Sequence, residues 1–184
     1  VAYYGRPADE AGLTFWSEAF DASSDLDAAL VEFGTSTEFT DSFGTLTNTQ
    51  LVTNLYQQMF NRAPETDGLD FYVGLLDAGT ATLDNVAKRI ADGATSGDDQ
   101  TTLNNKIAAA VDFTDSVIAG GATYAGDADI ASGQALLAAV DATAASVTDA
   151  ATASDAFVVT NSPNVFTLTS DAANDQVLEG QAAT

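Results

Sequence analysis

Cysteine and histidine are both missing from the 184 residues. A disulfide framework, a thiolate nucleophile, a Ser-His-Asp triad and the usual ligand sets for zinc or haem are therefore excluded. Bases are nearly as scarce: five Lys and Arg stand against 27 Asp and Glu, a formal net charge of −22. A surface this acidic repels phosphate backbones and anionic bilayers, so nucleic acid is not an expected partner and a nucleotide is not an expected cofactor. Long apolar runs are absent too. No stretch approaches the roughly 20 residues of a membrane-spanning helix, which argues against membrane insertion. Hydrophobic residues still make up 46% of the chain, enough to build a core rather than a disordered tail.

What the chain has in quantity is aspartate, 21 of the 27 acids. Aspartate caps helices and shapes turns, and that is its commoner role. It also supplies the oxygen ligands of hard cations such as calcium, which this composition still admits. The candidate ligands are Asp98 and Asp99 after Gly97, Asp127 and Asp129 after Gly126, and Asp171, Asn174 and Asp175 near the end.

Self-comparison reveals an internal repeat. The stretch from Tyr4 to Trp16 aligns with Phe60 to Tyr72 at a constant offset of 56, matching Arg6 with Arg62, Gly12 with Gly68, Leu13 with Leu69 and Phe15 with Phe71. Each copy reads as helix, acidic Pro-containing loop, helix. In the second copy Thr47–Gln50 is a capping-box candidate, and Leu51, Val52, Leu55, Tyr56, Met59 and Phe60 form one apolar stripe at helical spacing. Pro64 closes that helix, Asp67 is placed to cap the next, and Leu69, Tyr72, Val73 and Leu76 form its face. A third short helix carries Leu83, Val86 and Ile90, with Asp84 and Lys88 spaced for an i,i+4 pair. The paired glycines and arginines suit a tight structural loop, with Arg6 and Arg62 donating to loop carbonyls or to Asp9 and Glu65. Thr47–Tyr56 has no counterpart in the first copy, so the repeat predicts a further helix ahead of Val1.

The R-x-x-x-x-x-G-L-x-F-[WY] pattern at Arg6–Trp16 and Arg62–Tyr72 resembles a repeated helical module of unknown function. That module occurs at the N-terminal ends of secreted RTX-type and S-layer-like bacterial proteins and is distantly similar to phycobilisome linker domains. The resemblance covers about residues 1–120. It implies type I secretion, an extracellular cell-surface location and a calcium-binding β-rich region downstream.

The expected fold is mainly α: a compact multi-helix domain of two helix-loop-helix repeats with a C-terminal extended or β tail. Its repeats occupy about 1–46 and 47–97, and a closing helix spans 98–120 with Leu103, Ile107, Val111, Thr114 and Ile118 on its inner face. An Ala-rich extension follows at 121–157, helical around Ile130, Leu137 and Val140 and either helix or stalk linker beyond. Residues 158–184 read as extended, with strand-like alternation from Asn164.

Catalysis is not expected, and no catalytic residue stands out. A carboxylate pair for glycoside hydrolysis is the only enzyme chemistry the composition readily allows. The acids sit beside Gly, Ser or Thr, where solvated caps belong, apart from Asp112 and Asp115 on the long helix. The expected function is a non-catalytic module that self-associates laterally or holds its protein to cell-surface polysaccharide. Tyr3, Tyr4, Trp16 and Tyr124 are the candidate contacts, because exposed aromatic rings stack on sugars. A calcium-stabilised spacer is the alternative.

Overall fold

A computed structural model describes residues 1–23 and 26–163, and among these there are nine α-helices and no strands. They are α1 (Glu10–Ser23), α2 (Leu26–Thr35), α3 (Thr37–Phe43), α4 (Asn48–Phe60), α5 (Thr66–Asp77), α6 (Val86–Gly93), α7 (Gly97–Gly120), α8 (Asp127–Ala139) and α9 (Ala144–Asn161). The tail from 164 onward, with Asp171, Asn174 and Asp175, lies outside the described residues.

The most strongly specified helix is α4. The Thr47 hydroxyl accepts the Gln50 N–H at 3.3 Å while the Gln50 side chain accepts the Thr47 N–H at 3.0 Å, which satisfies two orphan donors reciprocally. Its buried residues are the six of the apolar stripe. Asn61 ends the helix in a left-handed conformation, φ 57°, before Pro64 is reached. α5 starts two residues earlier than Asp67 suggests: Glu65 is its N-cap residue, and Asp67 lies in the first turn. α6 begins only at Val86, so Leu83 and Asp84 precede it. Lys88 therefore pairs forward with Asp92, not back with Asp84.

Two apolar clusters result. The first gathers α4 with Tyr3, Phe39 and Phe43, Tyr72 of α5, and Val86 and Ile90 of α6. The second joins Phe113 and Val117 of α7 to Tyr124, Leu136, Leu137 and Val140, with α9 lying along α7. Val1 packs against both. α8 and α9 thus turn the Ala-rich stretch into helix rather than stalk. α9 also runs past the expected boundary to Asn161, so 158–161 are helical and not extended. The β-branched run Val158–Thr160 is overridden by packing, since Phe157 and Val158 rest on the second cluster.

α7 departs most from its sequence pattern. Its buried residues include Thr102, Leu103, Lys106, Ala109, Ala110, Phe113, Thr114 and Val117. Leu103 and Thr114 are inside as expected, but Ile107, Val111 and Ile118 are exposed, at 46%, 54% and 41%. A buried lysine and small alanines occupy the inner face, so counting apolar side chains places that face wrongly.

Candidate functional site

The N-terminal turn, the end of α3, and α4, α7 and α8 meet around a cleft of about 410 Å³. Its deepest side chain is Lys106, only 1% exposed. The Lys106 ammonium donates to the Gln58 carbonyl at 2.8 Å and to Asn61 Oδ1 at 2.6 Å. Both acceptors lie at the C-terminal end of α4, where unpaired carbonyls and the helix dipole favour a cation. No carboxylate joins them, and burial pushes the Lys106 pKa down to about 8. Asn61 itself is fixed from the other side, donating through Nδ2 to the Val140 carbonyl at 2.8 Å.

Around that floor Tyr4, Ser42, Asn54, Gln57, Gln58 and Gln134 bring hydroxyls and amides, beside apolar Val1, Phe43, Leu137 and Ala138. Gln58 spends its NH2 on the Val1 and Ala2 carbonyls, at 2.8 and 2.7 Å. Asn54, Gln57 and Gln134 are exposed and bond no side chain among the described residues. Not one residue lining the cleft is Asp or Glu. In a chain of net charge −22, an acid-free recess is a local departure from the rest of the surface.

Arginine clasps hold the two repeats. Arg6 donates from Nε and Nη2 to both oxygens of Glu38, at 2.6 and 2.9 Å, and from Nη1 to the Pro7 carbonyl and to Asp9, at 3.1 and 3.3 Å. Arg62 repeats the pattern on both oxygens of Asp99 (2.7 and 2.5 Å), on the Ala63 carbonyl (3.0 Å) and on Glu65 (2.8 Å). Each guanidinium also lies over a tyrosine ring, Arg6 over Tyr4 and Arg62 over Tyr56. Glu38 and Asp99 both sit in the first turn of a helix, α3 and α7. Each arginine thus ties its loop to the start of the third helix after it, and Arg6 also steadies Tyr4 at the cleft edge. Burial works to raise the Asp9 pKa, but the Gly12 N–H and the Arg6 guanidinium outweigh it and hold the carboxyl below its usual range.

The structure scatters the expected site residues. Arg6 and Arg62 lie in loops and donate to carbonyls, to Asp9 and to Glu65, though their bidentate partners Glu38 and Asp99 were not foreseen; Gly12 and Gly68, expected in the tight loop, lie instead in the first turns of α1 and α5. Tyr3 and Tyr124 are each 8% exposed and belong to the two cores, so neither offers a free ring face. Tyr3 donates to the Asp84 carbonyl. Trp16 is half-buried and stacks on Phe33 at 3.8 Å between centroids. Tyr4 alone of the four lines the cleft, its hydroxyl on Ser36 at 3.0 Å. Asp98 is exposed, Asp99 is held by Arg62, and Asp129 accepts the Ala125 N–H at 3.0 Å at the start of α8, beside exposed Asp127. Among the described residues no three acids converge as a metal site. Asp112 and Asp115 are exposed.

Sequence reasoning missed Lys106 and the exposed rings of Phe15 and Phe71. Both phenylalanines stand more than half exposed at the repeat offset, each edge-on to the next aromatic at 5.1 Å. The signal was present, for they occupy matching places in the repeat.

Residues 28–94 match the model of a domain of unknown function, DUF4214. That span runs from within α2 to the end of α6. No curated protein and no solved structure matches the chain.

Proposed function

We propose that this chain is a non-catalytic interaction module of a secreted cell-surface protein, and that it binds a hydroxyl-rich polysaccharide in the Lys106 cleft. The observation that carries the reading is the chemistry of the lining. Asn54, Gln57 and Gln134 can each donate and accept, as sugar hydroxyls do, while Tyr4 contributes a ring and Lys106 a cation floor. An acid-free recess removes the desolvation cost that carboxylates would impose on a neutral sugar. The resemblance of the Arg-Gly-Leu-Phe loops to modules of RTX-type and S-layer-like proteins supports the cell-surface setting, where lateral self-association is the competing use of the same surface.

The test is titration of a panel of soluble neutral polysaccharides (dextran, pullulan, mannan and galactomannan) with the wild-type chain and with Asn54→Ala/Gln134→Ala. Both side chains are exposed, so the double variant keeps its melting temperature. At least one polymer binds the wild type, and the variant weakens it by about tenfold, the loss expected from two hydrogen bonds. Absence of binding across the panel, or equal binding to both proteins, refutes the cleft as a sugar site.

A further inference from the structure

A second groove, of about 370 Å³, lies on the other side of the N-terminal turn. Leu13 and Ala8 form one wall, and Leu103, Ile107 and Val111 of α7 the other. Leu13, Ile107 and Val111 are each at least 45% exposed. Ile107 and Val111 are α7 residues whose spacing marks them as core, yet nothing among the described residues covers them.

The internal repeat says what does. In the second copy the corresponding space is filled by Tyr56 of α4. Its ring lies under Arg62 at 5.4 Å, its hydroxyl sits against Gly68, and Leu69 packs on the same cluster. The residues matching Arg62, Pro64 and Leu69 are Arg6, Ala8 and Leu13, and all three line the empty groove. Val1–Tyr4 also matches the last turn of α4. The Gly5 N–H donates to the Val1 carbonyl at 2.8 Å, as the Asn61 N–H donates to Gln57 at 3.0 Å. Both terminal residues are left-handed, with φ of 63° and 57°. The first four residues are therefore wound as a helix end, and Val1 and Ala2 line the groove.

We propose that the groove is the seat of an amphipathic helix with the residue pattern of α4, continuous with the Val1–Tyr4 turn, whose last aromatic lies against the Arg6 loop as Tyr56 lies against the Arg62 loop. A helix in that seat covers Leu13 of α1 and Ile107 and Val111 of α7 together, which explains why α7 is amphipathic on a face it does not bury.

The experiment lengthens the chain upstream of Val1 by a copy of Thr47–Tyr56, in the register set by the offset of 56. Melting is followed by circular dichroism and oligomeric state by light scattering. The extended chain melts higher by about 4–8 °C, as expected for seating a few apolar side chains in a domain of this size. Val111→Asp, at an exposed position, shifts the unextended chain by less than about 2 °C. In the extended chain the same substitution erases the gain, as does Ala at the final grafted residue. No gain, or a gain that survives Val111→Asp, overturns the proposal. A gain accompanied by dimerisation also overturns it, because the groove would then be an interface between copies.

Discussion

Gly5 and Asn61 are the same residue of the repeat. Each ends a helical turn in the left-handed region, each donates its N–H to the carbonyl four residues back, and each precedes an arginine that clasps the third helix after it. The two positions solve the same backbone problem with different residues. Asn61 uses its side chain, holding Lys106 on one side and Val140 on the other. At Gly5 a Cβ would lie 2.9 Å from the end of the Gln58 side chain, which would have to shift to admit it.

Gly5→Ala is accordingly expected to destabilise by about 1–2 kcal/mol, from left-handed strain and displacement of Gln58 together. Chemical denaturation measures this, and a loss below about 0.5 kcal/mol would mean that the turn relaxes freely.

Much of this was readable from residue order. α4 is locally consistent: capping box and stripe agree and both appear in the structure, although Asn61 ends the helix before Pro64 is reached. The repeat located the arginine loops but not their partners, since Glu38 and Asp99 lie 32 and 37 residues away and do not share the offset of 56. The Lys106 cleft was not legible. A lysine among alanines looks like a solvated position, and only the fold shows that α4 ends over it. α9 was ambiguous because its inner contacts are small residues, Ala150 and Ser154, which leave little periodic signal.

The two arginine clasps differ in cover. The Arg6 side chain is 11% exposed and that of Arg62 is 35%. Arg6→Ala is expected to cost about 2–3 kcal/mol because it strands half-buried Glu38 and frees Tyr4, whereas Arg62→Ala costs about 1 kcal/mol, nearer the value of a solvated pair. Urea denaturation of the two variants checks the order. Equal losses would show that cover does not set the strength of the clasp.

Lys106 makes stability depend on alkaline pH. Its folded pKa, about 8, is below the ordinary 10.5. Between those values the unfolded chain binds more protons, so stability rises with pH through that window. Burial raises Tyr3, Tyr4, Tyr56, Tyr72 and Tyr124, so above about 10 the unfolded chain sheds protons first and stability falls. Urea midpoints should increase from pH 7.5 to 9.5 and then decline. Lys106→Met lowers stability throughout, because the Gln58 carbonyl and Asn61 Oδ1 lose their donor, and it flattens the rise. A rise that persists in that variant assigns it to another group.

Gly34 and Gly74 both lie in helices, and replacing them by alanine should act in opposite directions. A Cβ on Gly34 would stand 2.4 Å from the backbone of Asp84, which forces α2 away from the segment before α6; the expected loss is about 2 kcal/mol or more. A Cβ on Gly74 meets nothing within 4 Å, so alanine there stabilises α5 by about 0.5–1 kcal/mol. Thermal melts of the two variants should shift in opposite senses.

Amide hydrogen exchange in the presence of a saturating polysaccharide probes the functional reading most directly. Occupation of the cleft predicts slowed exchange from Asn54 to Asn61 of α4 and from Gln134 to Ala138 of α8, with α5 unchanged. Slowing confined to the segments around Phe15 and Phe71, with α4 and α8 unaltered, would contradict it and move binding to the exposed face of the repeats.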